Sequence, residues 1–409
     1  MQQAAPVGRT DHSPRDGTPG EVFLVFLRLG LTAFGGPVAH LGYFREAFVA
    51  RRGWLDDRAY ADLVALCQFL PGPASSQVGI AIGLSRAGLA GAVAAWLGFT
   101  LPSALLLIGF GYGILAAQGT LPAGLLQGLK IVAVAVVAQA VWGMAKSLCP
   151  DLPRAGFALV AAIALLLLPL PALQVGVLVL AGLGGLVLLP ATADGVHGSF
   201  PVPVGRGLAI AALALFALLL VALPLLRLAE PAHWLALVDS FYRSGALVFG
   251  GGHVVLPLLE AATVDPGWVG RDTFLAGYGA AQAVPGPLFT FAAYLGTVGG
   301  PLPNGWAGGL LCLAAIFAPA FLLVVGVLPF WDSLRRNAAA RRALAGVNAA
   351  VVGLLLAALY DPVWTAAIAG PQDVALAIAA FGLLVLARLP PWLVVLLGAA
   401  GGWGMTAAI

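Results

Sequence analysis

The sequence predicts an all-α polytopic protein of the lipid bilayer, built from two related halves. Three observations predict it: an apolar composition, apolar runs of membrane-crossing length, and a long internal repeat that carries the same Pro-Gly-Pro interruption twice. Of the 409 residues, 61% are hydrophobic and 9% charged, and the mean hydropathy is +1.00. Water-soluble domains carry about 25% charged residues, so most of this surface must be solvated by lipid. The runs Leu89 to Ala117, Leu125 to Ala145 and Leu208 to Leu226 each reach the roughly 20 residues a helix needs to cross a bilayer. They are apolar nearly all round, which excludes the alternating strands of a membrane β-barrel. The net charge of +3 comes largely from loop arginines, so it bears on orientation and not on nucleic acid.

The chain opens with a polar stretch, residues 1–20, in which Arg9 and Arg15 alternate with Asp11 and Asp16. It has no short apolar core and no small-residue cleavage site, so it reads as a cytoplasmic extension and not as a secretory signal. The first apolar segment then carries Phe26-Leu27-Arg28-Leu29-Gly30 and ends on Phe34-Gly35-Gly36. Both return later, as Phe241-Tyr242-Arg243-Ser244-Gly245 and Phe249-Gly250-Gly251, at a separation of 215 (243 − 28). Gly53-Trp54-Leu55 returns as Gly267-Trp268-Val269, and Gln68 with Pro71-Gly72-Pro73 returns as Gln282 with Pro285-Gly286-Pro287, now 214 apart (285 − 71). Weaker matches pair Thr100-Leu101-Pro102 with Phe317-Ala318-Pro319 and Lys130 with Asn348. The expected organisation is therefore a first repeat over 21–190, a Gly- and Pro-containing linker over 191–206, and a second repeat with its leading helix over 207–409.

Arginine and lysine gather in cytoplasmic loops, and the two halves place them differently. After its opening segment the first half has Arg45, Arg51, Arg52 and Arg58, where the second has Arg271 against Glu260, Asp265 and Asp272. Around Gly119 the first half is uncharged, while the matching loop of the second carries Arg335, Arg336, Arg341 and Arg342. That exchange is what repeats of opposite topology produce, the arrangement in which transporters hold substrate near the bilayer midplane.

The apolar segment from Ala61 to Gly83 is interrupted by Leu70-Pro71-Gly72-Pro73, and proline removes a backbone donor and disfavours helix before it. Two half-helices meeting in mid-membrane are expected, entering and leaving by one face, and Pro285-Gly286-Pro287 repeats the device. Backbone breaks at membrane depth survive only against protein or a watery cavity. The N–H groups of Ala74, Ser75, Ser76 and Gln77, and of Leu288, Phe289 and Thr290, are then donors without helical partners, at helix ends that favour anions. With the hydroxyls of Ser75, Ser76 and Thr290 and the amides of Gln68 and Gln282, they suit a small tetrahedral oxyanion. A pair of plain proline kinks is the alternative reading.

Arg28 and Arg243 lie inside apolar segments, where an arginine costs on the order of 3 kcal/mol by insertion scales. Either they face a cavity and counter an anion, or they snorkel to the interface beside Glu21 and Asp239. The runs Gly35-Gly36-Pro37 and Gly250-Gly251-Gly252 mark a second break or a close helix contact in each half. His40, His253, Glu46, Asp62 and Glu260 are the titratable groups that could relay a proton, with interfacial or capping roles as the alternative. Asp56, Asp57 and Asp272 are expected as helix caps, and Lys130 as a cavity or snorkelling residue. Cys67, Cys149 and Cys312 have no paired spacing and read as core residues, with no metal site and no cofactor implied.

The stretches Phe34-Gly35-Gly36-Pro37 with His40, Gln68-Phe69-Leu70-Pro71-Gly72-Pro73-Ala74-Ser75-Ser76-Gln77, Phe249-Gly250-Gly251-Gly252-His253 and Gln282-Ala283-Val284-Pro285-Gly286-Pro287 resemble the long-chain, two-domain chromate ion transporter family over nearly the whole chain. The resemblance implies a multi-pass carrier of the bacterial inner membrane that expels chromate, a structural analogue of sulfate, using the proton-motive force. Its partners would be the oxyanion and the lipid bilayer, and a homodimer is left open. A sulfate or other oxyanion carrier, or a channel, is the nearest alternative. An ATP-driven pump lacks its phosphate loop here and an intramembrane hydrolase its H-E-x-x-H or G-x-S-x-G motif; a lipid scramblase would move lipid without any oxyanion.

Overall fold

The computed structural model describes residues 17–117, 122–168, 171–190, 204–249 and 252–407, and every regular element among them is helical. Most of the expected N-terminal extension (1–16) and linker (191–203), as well as Gly250 and Gly251, lie outside the described residues.

Helix α1 (Pro19–Thr32) starts where Thr18 accepts the Glu21 N–H at 3.1 Å and Pro19 fills the first turn. Helix α2 (Gly36–Phe44) and a π-helical turn over Arg45–Arg51 lead to α3 (Asp57–Phe69), capped as expected by Asp56, which accepts the Ala59 N–H at 2.7 Å. The Pro-Gly-Pro interruption then opens the chain: Leu70 is extended, Gly72 has φ +121°, and α4 (Ala74–Ala116) begins after Pro73. α4 is itself two arms, because Ala87 and Gly88 leave helical geometry. A Cβ on Gly83 would lie 2.3 Å from the Gly91 carbonyl, whereas residues eight apart in a straight helix are separated by about 12 Å. The arms therefore fold into a hairpin at that glycine contact. Helices α5 (Ala123–Leu148), α6 (Leu152–Leu167) and α7 (Pro171–Leu188) complete the first half, and α8 (Arg206–Ala229) stands between the halves.

The second half repeats the plan as α9 (His233–Ala246), α10 (Val255–Thr263), α11 (Arg271–Ala281), α12 (Phe291–Val298), α13 (Gly305–Val327), α14 (Trp331–Arg336), α15 (Ala338–Ala358), the single turn α16 (Thr365–Ala367), α17 (Pro371–Val385) and α18 (Pro391–Ala407). Here α12 and α13 stand for the two arms of α4, and Gly296 meets Gly308 as Gly83 meets Gly91. The first helix of each half also docks through a matched glycine: Gly30 against the Gly98 and Phe99 carbonyls, Gly245 against the Ile316 carbonyl. Small residues let these backbones touch where a larger side chain would hold them apart. The last two helices of each half are exchanged, so that α6 and α7 pack along α15 while α17 and α18 pack along α5. Among the described residues five helical segments are long and apolar enough to cross a membrane, and α8 is the least buried of them.

Side-chain contacts fix the two ends of the molecule. Arg86 lies 5.0 Å from the Trp54 ring and 3.8 Å from the Glu21 carboxylate, which brings the start of α1, the base of α3 and the α4 turn to one end. The second arm of α4, from 89 to 116 and so about 42 Å long, carries the chain to the other end. There the Trp306 N–H donates to the Tyr112 hydroxyl at 3.0 Å. Returning through α13, the chain delivers Arg335 to Asp62 of α3 at 2.6 Å, both largely buried, so the two basic loops share an end. At the opposite end Lys130 of α5 meets Asp272 of α11 at 3.0 Å. The equivalent helices α3 and α11 thus start from opposite ends, as the charge exchange predicts.

Candidate functional site

The two Pro-Gly-Pro interruptions cross at the middle of the molecule through a reciprocal pair of backbone hydrogen bonds. The Gly72 N–H donates to the Val248 carbonyl at 2.6 Å, and the Gly286 N–H donates to the Ala33 carbonyl at 2.9 Å. Gly72 and Gly286 are repeat equivalents, as are Ala33 and Val248. Each break is therefore held by the residue just ahead of Phe-Gly-Gly in the other half. Both glycines have positive φ, +121° and +95°, where a side chain is strained.

The arms beyond the breaks differ. In the first, the chain enters α-helix at once, and the Gln77 side chain curls back so that its Nε2 donates to the Pro71 carbonyl at 2.7 Å. Ser75 Oγ lies 3.3 Å from His40 Nδ1, while His40 Nε2 lies 3.2 Å from the Ala33 carbonyl that also receives Gly286. Ser76 Oγ and Gln77 Oε1 are buried without a partner. In the second, a 3-10 turn over Leu288–Thr290 precedes α12, and Thr290 gives both its N–H and its hydroxyl to the Pro287 carbonyl, at 3.1 and 2.7 Å. His253 approaches from the second half, its Nδ1 2.8 Å from the Tyr278 hydroxyl and its Nε2 4.0 Å from where a Cβ on Gly36 would stand.

Several expectations change against this geometry. The N–H groups of Gln77 and Thr290 are not free, because the Pro73 and Pro287 carbonyls already accept them. What remains among the described residues as donors on the crossing elements is the N–H set of Ala74, Ser75, Ser76, Leu288 and Phe289, with unpartnered Ser76 Oγ and Gln282 Nε2; Gln77 Oε1 is left as an acceptor. The paired glutamines are not equivalent: Gln282 is half-buried at its break, whereas Gln68 is exposed on α3. Arg28 and Arg243 are not brought to the crossing. Arg28 is exposed on α1 and lines a cleft with Glu46, Arg51 and Arg52. Arg243 donates to the buried Asp239 carboxylate at 2.7 Å and lines a cleft of its own.

The candidate proton groups are scattered as well. His40 and His253 flank the crossing, but Asp62 is engaged by Arg335, and Glu46 accepts from Arg51 at 2.8 Å. Glu260 ends α10 at an open cleft with Arg271 and Asp361. Burial pushes its carboxyl up to about 7, with Arg271 opposing the rise and Asp265 and Asp361 adding to it. Asp272 does not cap α11, whose cap is Gly270; it receives Lys130, which explains how a lysine is tolerated in an apolar run. Cys67 and Cys312 are buried as expected, and Cys149 is partly exposed at the end of α5. Among the described residues no three His, Cys, Asp or Glu side chains group as metal ligands.

Sequence reasoning missed Ser103, which the second break meets on α4 beside the Phe99 carbonyl: Ser103 Oγ lies 2.8 Å from where a Cβ on Gly286 would stand. The repeated Thr100-Leu101-Pro102 pointed to the region without pointing to its partner. Chemically, the crossing presents hydroxyls, amides and backbone donors in a buried setting, with carboxylates kept to the two ends. Ser76 Oγ, Gln282 Nε2 and the backbone N–H groups are donors that suit an anion, whereas Gln77 Oε1 only accepts and its Nε2 is already given to Pro71.

Known proteins agree with this architecture. A family model described as chromate transporter matches twice, over residues 20–188 and 235–403. A chromate transport protein of Pseudomonas aeruginosa is 30% identical over 83% of this chain and 80% of its own length. One from Cupriavidus metallidurans is 25% identical over 85% and 83%, and an uncharacterized transporter of Methanocaldococcus jannaschii is 27% identical over 82% of each. No solved structure matches the chain. With both repeats matched across a multi-pass helical fold, the chain belongs to the chromate transporter family.

Proposed function

We propose that this protein is a secondary transporter that exports chromate across the bacterial inner membrane at the expense of the proton-motive force. The observation that carries the reading is the reciprocal crossing of two broken helices, which bear the buried and unpartnered Ser76 Oγ and Gln282 Nε2. Unsatisfied polar atoms in such a place are costly unless a ligand or water meets them. The names of the P. aeruginosa and C. metallidurans relatives supply the ion.

In this reading the anion sits between the Ala74, Ser75 and Ser76 end of α4 and the Leu288, Phe289 and Thr290 turn. Each break enters and leaves the bilayer by one face, and the two halves rock about the crossing. The end that gathers Arg45, Arg51, Arg52, Arg335 and Arg336 faces the cytoplasm. His40 and His253, which flank the crossing, and Glu260 at its open cleft are the groups through which a proton gradient would act. Sulfate shares the shape and charge of chromate and is the substrate to test beside it.

The test is accumulation of chromate and of sulfate in inverted membrane vesicles, with and without a proton gradient. Gradient-dependent chromate accumulation above that of vesicles lacking the protein is expected. Equal flux in the two kinds of vesicle would overturn the assignment, and accumulation of sulfate alone would change the ion.

A further inference from the structure

Two clefts, of about 550 and 410 Å³, open beside the first helix of each half, and they are repeat equivalents of one another. Val25, Arg28, Thr32 and Tyr43 line the first; Ser240, Arg243, Leu247 and Leu258 line the second, each 215 residues on (243 − 28). The correspondence covers cavity, helix face and arginine together, so the repeated arginine belongs to a repeated compartment.

Each cleft runs from an end of the molecule toward the crossing. The mouth of the first is formed by Arg51 and Arg52 of the basic loop, and that of the second by Asp265 and Pro266 of the acidic loop. Of the lining residues on the first helices, Thr32 and Leu247 stand one residue before Ala33 and Val248, the carbonyls that hold the breaks of the opposite halves. The clefts are thus placed as two half-channels from opposite ends to one centre.

Their charge differs. In the first, Glu46 is taken by Arg51, and among the described residues Arg28 has no carboxylate within ion-pair distance. In the second, Arg243 is 2.7 Å and Arg227 3.5 Å from one oxygen of buried Asp239, and Asp265 adds a further negative charge. The position of Asp239 is Leu24 in the first half. One compartment therefore keeps an uncommitted guanidinium, and the other neutralises its own.

We propose that the Arg28 cleft is the loading vestibule for a free tetrahedral oxyanion, and that the Arg243 cleft is its release vestibule, where Asp239 keeps the arginine from retaining the ion. The proposal rests on the transport reading above. It adds the two side compartments and a direction set by their charges, from the basic end to the acidic end. A guanidinium without a carboxylate partner binds an oxyanion through charge-assisted hydrogen bonds, whereas one already so bonded holds it weakly.

Chromate uptake measured separately into inverted and right-side-out vesicles, made with zwitterionic lipid and again with anionic lipid, tests it. Arg28→Ala is expected to raise half-saturation about tenfold for loading from the basic end in both lipids and to leave loading from the acidic end unchanged. Asp239→Asn is expected to tighten apparent binding from the acidic end and slow net export. Identical kinetics for Arg28→Ala and parent would overturn the proposal, as would an Arg28 effect that appears only with anionic lipid, which would assign the cleft to a headgroup phosphate. Site-resolved labelling of Thr32→Cys and Leu247→Cys by a membrane-impermeant thiol reagent needs no transport, and modification from opposite sides is expected. If the parent moves no chromate above empty vesicles, the transport reading fails; if it does and Arg28→Ala behaves as parent, the vestibule alone fails.

Discussion

The two broken helices share a scaffold and divide the chemistry. Both carry Pro-Gly-Pro, both place glycine at positive φ, and both are held by a carbonyl from the other half. Past that point they part. The first arm leaves Ser76 Oγ and Gln77 Oε1 buried without partners, while the second turns through a 3-10 segment in which Thr290 satisfies itself on Pro287 and its neighbours are Leu288 and Phe289. Duplication preserved what keeps the crossing together, and of the two arms the first alone keeps a buried hydroxyl, Ser76 Oγ, without a partner among the described residues.

The largest expected effect comes from substituting the shared scaffold. Gly286→Ala would bring a Cβ to 2.8 Å from Ser103 Oγ and 3.0 Å from the Phe99 carbonyl, at φ +95°. The backbone carbonyl cannot swing aside, and positive φ adds about 1–2 kcal/mol. Loss of monodisperse protein on size exclusion is expected. Gly72→Ala meets the Gln77 Nε2, a movable amide, at 2.8 Å, and should remain extractable with weakened transport. Equal yields of the two variants would erase the distinction between the breaks.

The ion pairs between the halves extend the comparison to the ends. Asp62 and Arg335 are 6% and 10% exposed, whereas the Asp272 side chain is 77% exposed. Removing Asp62 leaves the largely buried Arg335 with only the exposed carboxylate of Asp332, so Asp62→Ala should lower stability by about 2 kcal/mol, seen as an earlier thermal transition. Asp272→Ala leaves Lys130, itself 12% exposed, without its carboxylate and should cost about 1–2 kcal/mol.

Much of this was legible in the sequence because backbone constraints repeat. Proline and glycine at 71–73 and 285–287 dictate a break whatever surrounds them, and the arginine-rich loops give orientation without any contact being known. The exchange of α6 and α7 for α17 and α18 was not legible, since small-residue faces such as Gly346 and Gly353 fit many partners. For Arg28 and Arg243 the cost of lying inside apolar runs leaves two readings open, a cavity at the breaks or snorkelling to the interface. That argument gives depth along a helix but not the side from which a cavity opens. Thr290 was counted among the free hydroxyls, because its sequence does not reveal that a 3-10 turn brings Pro287 within its reach.

Smaller effects separate the two arms as binding surfaces. Ser76→Ala should raise the half-saturation for chromate about tenfold, the loss of one hydrogen bond to a charged group. Thr290→Ala, whose hydroxyl is already engaged, should raise it about threefold in the same uptake assay. The smallest change concerns Glu260, whose carboxyl is raised to about 7 and so is protonated below that pH and ionised above it. Glu260→Gln fixes the neutral form, and the step in transport rate around pH 7 should flatten, by about twofold at most.

The central claim, that the crossing itself holds the anion and does so mainly through the first arm, is tested most directly by calorimetric titration of chromate into purified protein. Parent protein should bind one chromate per chain, and Ser75→Ala combined with Ser76→Ala should bind at least tenfold more weakly at unchanged folded yield. Undiminished affinity in that double variant would place the ion elsewhere and contradict the account.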